Sequence, residues 1–133
     1  MRLNKIDHIG IAVKNIKDVS KFYKDVFDCQ ISEEMEVPER KLRIACTEIS
    51  RVKLEFLMPT DKESMVAKFI EKRGEGIHHI CFEVDDIEEA VSNLRNKGVE
   101  FVDKKPRLGV EGNKIIFLQP KSAYGVLIEL KEK

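Results

Sequence analysis

The feature that most constrains this chain is that it repeats itself. Asp7-His8-Ile9-Gly10-Ile11-Ala12-Val13 returns as His78-His79-Ile80-Cys81-Phe82-Glu83-Val84, with the apolar residues alternating in register. Each copy runs into a helix signal. Asn15-Ile16-Lys17-Asp18 leads into Val19, Phe22, Tyr23 and Val26, and Asp86-Ile87-Glu88-Glu89 leads into Ala90, Val91 and Leu94. In both, a capping residue precedes an acidic residue three places on, followed by apolar spacing near the helical period. Gly98 ends the second helix as a C′ residue. Strand-like runs follow each helix, and the last runs also match: Val52-Lys53-Leu54-Glu55-Phe56-Leu57 against Val126-Leu127-Ile128-Glu129-Leu130.

This pattern predicts an α+β fold of two βαβββ modules that form a curled half-barrel with a concave metal-binding cleft. The modules cover about 1–60 and 76–133, in a chain of 133 residues that is long enough for one domain and too short for two ordinary ones. Between them, at about 61–75, Thr60-Asp61-Lys62-Glu63 reads as a capping box opening a helix over about Ser64 to Lys72, which Gly74 and Gly76 terminate. We expect this helix to be a connector.

Successive residues of a strand point to opposite sides, so the repeat also sorts side chains onto faces. Ile9, Ile11 and Val13 oppose His8, Gly10 and Ala12; Ile80, Phe82 and Val84 oppose His79, Cys81 and Glu83; Leu54 and Phe56 oppose Glu55; Val126, Ile128 and Leu130 oppose Glu129. With the helices expected on the apolar faces, His8, Glu55, His79 and Glu129 are left together on the concave one. Two imidazoles and two carboxylates form a mixed nitrogen and oxygen set that suits a borderline or hard divalent ion. A lone strand histidine is more often hydrogen-bonded than ligating. Here all four residues fall at repeat-equivalent positions and on one face, which favours a metal. His79 rather than His78 takes the ligand role, because His79 aligns with His8. Cys81 and Glu83 align with Gly10 and Ala12 and are expected to line the pocket.

Other signals mostly exclude. Lys plus Arg equals Asp plus Glu at 24 each, which gives no basic field for nucleic acid. No apolar run approaches membrane-spanning length, and the opening MRLNKIDHIG has no signal-peptide core, so a cytoplasmic location is expected. Cys29, Cys46 and Cys81 are odd in number and lack C-x-x-C spacing; we read them as reduced structural thiols.

At these residues the sequence resembles the vicinal oxygen chelate superfamily of glyoxalase I, extradiol dioxygenases, fosfomycin-resistance proteins and methylmalonyl-CoA epimerase, and within it the epimerase family most. The stretches Ile6 to Val13, Ser64 to Ile80, Phe117-Leu118-Gln119-Pro120-Lys121-Ser122 and Gly125 to Leu130 carry the likeness. The resemblance implies interconversion of (2R)- and (2S)-methylmalonyl-CoA, by removal and return of the C2 proton through an enolate stabilised on one divalent ion, cobalt, manganese, nickel or zinc. It implies Glu129 as one base. Where many bacterial relatives carry a glutamate that looks like the other, this chain has Ile44 within Glu39-Arg40-Lys41-Leu42-Arg43-Ile44, which leaves Glu39, Glu48 or a water at the metal as candidates. Gln119 stands where the family commonly has histidine. Lys104, Arg107 and Lys121 are candidates for the coenzyme A phosphates or the substrate carboxylate. A homodimer is expected. Two other functions remain open: a glyoxalase-type lyase acting on a hemithioacetal, and a non-catalytic small-molecule binding module of the same fold.

Overall fold

The computed structural model describes all of residues 1–133. In chain order the elements are β1 (Lys5–Ala12), α1 (Ile16–Phe27), β2 (Met35–Val37), β3 (Leu42–Ile49), β4 (Val52–Pro59), α2 (Met65–Arg73), β5 (Gly76–Val84), α3 (Ile87–Asn96), β6 (Arg107–Leu108), β7 (Lys114–Leu118) and β8 (Ile128–Glu132). The two βαβββ modules and the helix between them are thus present, and the fold is α+β. The chain divides into two compact units, however, that do not follow the sequence halves: Met1–His8 with His79–Lys133, and Ile9–His78.

In the first unit the strands run in the order β1, β5, β8, β7, β6. β5 and β8 are parallel, with Cys81 opposite Glu129, and β7 and β8 are antiparallel, with Phe117 opposite Glu129. One face packs Val84, Ile116, Leu118 and Leu130 against Ile87, Ala90 and Val91 of α3. α3 begins where the sequence places it, since the Glu89 amide donates to the Asp86 side chain. It ends with the Val99 amide donating to the Leu94 carbonyl and the Gly98 amide to that of Arg95, both 3.0 Å or shorter. Gly98 has φ +86°, a conformation that costs glycine little. The last strand starts two residues later than the sequence suggests. Tyr124 and Gly125 both take positive φ, and this turn leaves Val126 exposed ahead of β8.

In the second unit the order is β2, β3, β4, β1. α1, capped by Asn15 accepting from the Asp18 amide, packs on the face formed by Ile11, Val13, Leu54, Phe56 and Met58. α2 starts later than the expected capping box. Its cap is Ser64, which accepts from the Val66 amide, while Asp61 accepts from the Glu63 amide in the turn before it. Nor is α2 a bare connector. Its stripe of Val66, Phe69 and Ile70 packs with Ala12, Ile44 and Leu57, on the strand face opposite the one α1 covers. Expecting helices only on the face of Leu54 and Phe56 overlooked that Ala12, Ile44 and Leu57 make the other face apolar at this end. The spacing i, i+3, i+4 within α2 supplies the matching stripe.

Candidate metal centre

Strand parity brings His8, His79 and Glu129, three proposed ligands that all lie in the first unit, to one point. His8 on β1, His79 on β5 and Glu129 on β8 are each 5 to 6% exposed. Nε2 of His8 lies 3.0 Å from Nε2 of His79. Oε1 of Glu129 lies 3.2 Å from the first nitrogen and 3.1 Å from the second. The two rings meet edge to face, with centroids 5.1 Å apart. Phe117, brought alongside by the β7–β8 register, sets its ring 5.6 Å from that of His79 and forms an apolar wall.

Three electron-pair donors that crowd this closely, out of water, match what a metal requires. Donors bound to a divalent ion at about 2.0–2.2 Å stand roughly 3 to 3.4 Å from one another. The protonation of the cluster agrees. Nδ1 of His8 is 2.7 Å from Oδ2 of Asp7, a buried carboxylate, so Nδ1 carries the proton and Nε2 presents its lone pair to the cluster. The pKa of Asp7 is lowered to about 2, chiefly by its hydrogen bond to His8 and against burial, with Lys131 adding to the effect. Cys81, fully buried opposite Glu129, is pushed up to about 12 by burial. That rules it out as a ready thiolate and fits a lining role.

Glu55 belongs to the other compact unit, part-buried on β4 and opposite Cys46 of β3. His78 packs against Phe69 of α2 at a centroid distance of 5.0 Å, in keeping with the preference for His79. Ile44 is buried against α2 and cannot exchange a proton. Glu48 is exposed on β3, two residues beyond Cys46 and so on the face that carries Glu55; Glu39 is exposed in a 3-10 turn at Pro38–Arg40. Of the proposed phosphate contacts, Arg107 pairs with Asp103 at 3.6 Å and Lys121 with Glu100 at 3.2 Å, both at the surface. Lys104 is exposed, and its carbonyl accepts from Arg95. Gln119 donates to the Phe101 carbonyl at 3.5 Å. Neither Asp7 nor Lys131 stands out in the sequence as a site residue. Strand parity puts Asp7 opposite His8, and only the fold shows that its carboxylate reaches the backbone side of the imidazole.

The chain belongs to the glyoxalase/bleomycin resistance protein/dioxygenase superfamily, whose profile its residues 7–117 match. Among its relatives, a Bacillus subtilis protein of uncharacterised activity is 40% identical over 98% of this chain and 93% of its own. The mitochondrial methylmalonyl-CoA epimerase of Dictyostelium discoideum is 38% identical over 98% of this chain and 80% of its own. The structure of Streptomyces coelicolor methylmalonyl-CoA epimerase in complex with 2-nitronate-propionyl-CoA superposes with a TM-score of 0.90 at 36% identity, covering 99% of each chain.

Proposed function

We propose that the protein is an epimerase that interconverts (2R)- and (2S)-methylmalonyl-CoA by removing and returning the proton on C2, with one divalent ion held by His8, His79 and Glu129. The observation that supports this most is that the relatives of named activity cited above, which match along nearly the whole chain, are methylmalonyl-CoA epimerases, in contrast to the many chemistries of the superfamily. Glu55 remains the fourth ligand on the strength of its repeat equivalence with Glu129. An ion bound there supplies positive charge for the two substrate oxygens on which charge develops as C2 loses its proton.

The protein's own groups do the rest. Glu129 meets both imidazoles through Oε1, so Oε2 is the oxygen left to take the proton from C2 and give it back. Asp7 holds the His8 ring in one orientation. Phe117 and Cys81 keep water from the cluster on their sides, which strengthens every charge interaction within it. Inversion at C2 is simplest with a second base on the opposite face. Glu48 is preferred over Glu39, because it shares the strand face of Glu55. Lys104, Arg107 and Lys121 are assigned to the coenzyme A end as exposed cations. The reading also retains a homodimer and a cytoplasmic location. No helix of the protein is long and apolar enough to cross a membrane.

The test offers metal-reconstituted protein two substrates, (2S)-methylmalonyl-CoA and the hemithioacetal of methylglyoxal and glutathione. Epimerisation of the first, abolished by chelation and restored by a divalent ion, is expected, with Glu48→Gln much slower than Glu39→Gln. Turnover of the hemithioacetal alone would overturn the proposal in favour of a lyase.

A further inference from the structure

Beyond the three donors, the first unit contains a chain of charges that reaches from His8 to the surface. Lys131 lies on β8 two residues after Glu129 and therefore on the same face. Its side chain is 12% exposed, and its Nζ stands 3.4 Å from Oδ2 of Asp7 and 2.6 Å from Oε1 of Glu111. Two carboxylates within reach of one ammonium favour its charged form. Glu111 sits in a tight turn between β6 and β7, closed by the Gly109 amide donating to the Asn113 carbonyl at 2.8 Å and tied to β8 by the Asn113 side chain donating to the Glu132 carbonyl at 3.0 Å. A Cβ at position 109 would meet Cγ2 of Ile115 at 3.0 Å, so a larger residue there requires Ile115 to shift by a few tenths of an ångström.

We propose that Lys131 is a positioning residue: held between Asp7 and the Glu111 turn, it keeps the Asp7 carboxylate on Nδ1 of His8 and so fixes the imidazole in the tautomer whose Nε2 lone pair faces His79 and Glu129. Without Lys131, Asp7 loses the ammonium beside it, and burial of its charge favours rotation out toward water. The His8 ring then loses the partner that sets its tautomer. The consequence for affinity rests on the metal reading given above; the consequence for the tautomer does not.

The sign of the effect separates positioning from plain electrostatics. A cation this close to a divalent site repels the incoming ion, so removing its charge should tighten binding if Lys131 acts only through space. Loss of a group that orients a ligand instead weakens metal binding by about 10- to 100-fold. Cobalt(II) is titrated calorimetrically into metal-free wild type, Lys131→Met and Lys131→Arg, and the imidazole nitrogen shifts of His8 are recorded by NMR in the same metal-free proteins. Lys131→Met is expected to bind cobalt at least about tenfold more weakly and to lose the single Nδ1–H tautomer, and Lys131→Arg, which still bridges two carboxylates, to recover most of both. Unchanged or tighter binding by Lys131→Met, or a His8 tautomer that stays as in wild type, overturns the proposal. If wild type takes up no cobalt, it is the metal reading that fails, and the tautomer comparison still decides the role of Lys131. Should Lys131→Met not fold, Glu111→Gln carries the same test by loosening the ammonium from one side; an unaltered tautomer there is equally fatal.

Discussion

Replacing Asp7 by asparagine should remove a specific part of the protein's resistance to acid. The Asp7 carboxyl falls from 3.8 to about 2 on folding, first because His8 donates to it, against the cost of burial, and then because Lys131 lies beside it. Each pKa unit is worth about 1.4 kcal/mol, so the depression amounts to about 2.4 kcal/mol, of which solvent screening around the Lys131 end leaves roughly 1 to 2 kcal/mol. A carboxyl depressed on folding stabilises at pH values above its unfolded pKa, because there it is ionised in both states and only the folded state gives it partners. The contribution is fully present above pH 3.8 and is lost as the pH falls toward about 2. Urea unfolding of wild type and Asp7→Asn at pH 6 and at about pH 2 measures it. Other carboxylates titrate alike in both proteins, so the difference between the two isolates Asp7. Asp7→Asn is expected to be less stable than wild type by roughly 1 to 2 kcal/mol at pH 6 and to approach it at low pH. Parallel stability curves across that range would refute the coupling of Asp7 to His8 and Lys131.

Cys81 is fully buried with its pKa pushed up to about 12 by burial, whereas Cys29 and Cys46 are part-exposed. A thiol reagent at pH 8 should therefore label Cys29 and Cys46 in the native protein and reach Cys81 only after unfolding; rapid labelling of Cys81 in the folded state, read by peptide mass mapping, would contradict this. Ile116 is fully buried in the cluster beneath α3, and Ile116→Ala should cost about 3 kcal/mol in denaturant unfolding, with a loss under about 1 kcal/mol showing that this core is not close-packed.

How much of this was legible in the sequence depends on whether the signal is local. The caps Asn15 and Asp86 and the glycine at 98 act within one helical turn, and each makes the contact its spacing foretells. Parity along β1, β5 and β8 requires only that the strands pair in register, and it selects His8, His79 and Glu129 correctly as neighbours. What depends on contacts between distant stretches was not legible. The side of the sheet that α2 covers is decided by Ala12, Ile44 and Leu57, drawn from three strands. Asp7 and Lys131 meet across the first unit, and no spacing along the chain announces that pair. Thr60 reads as the cap in the sequence, whereas the fold caps α2 with Ser64, whose hydroxyl is 3.2 Å from the Val66 amide.

The most direct test of the central claim is deuterium uptake at C2 of methylmalonyl-CoA in heavy water, followed by mass spectrometry in wild type and Glu129→Gln, each loaded with the same divalent ion. Wild type is expected to incorporate solvent deuterium with turnover. Glu129→Gln, which retains an oxygen between the two imidazoles but no basic carboxylate, is expected to lose exchange by at least about a hundredfold. Undiminished exchange in Glu129→Gln would contradict the assignment of proton transfer to Glu129, and no exchange in metal-loaded wild type would contradict epimerisation at this site.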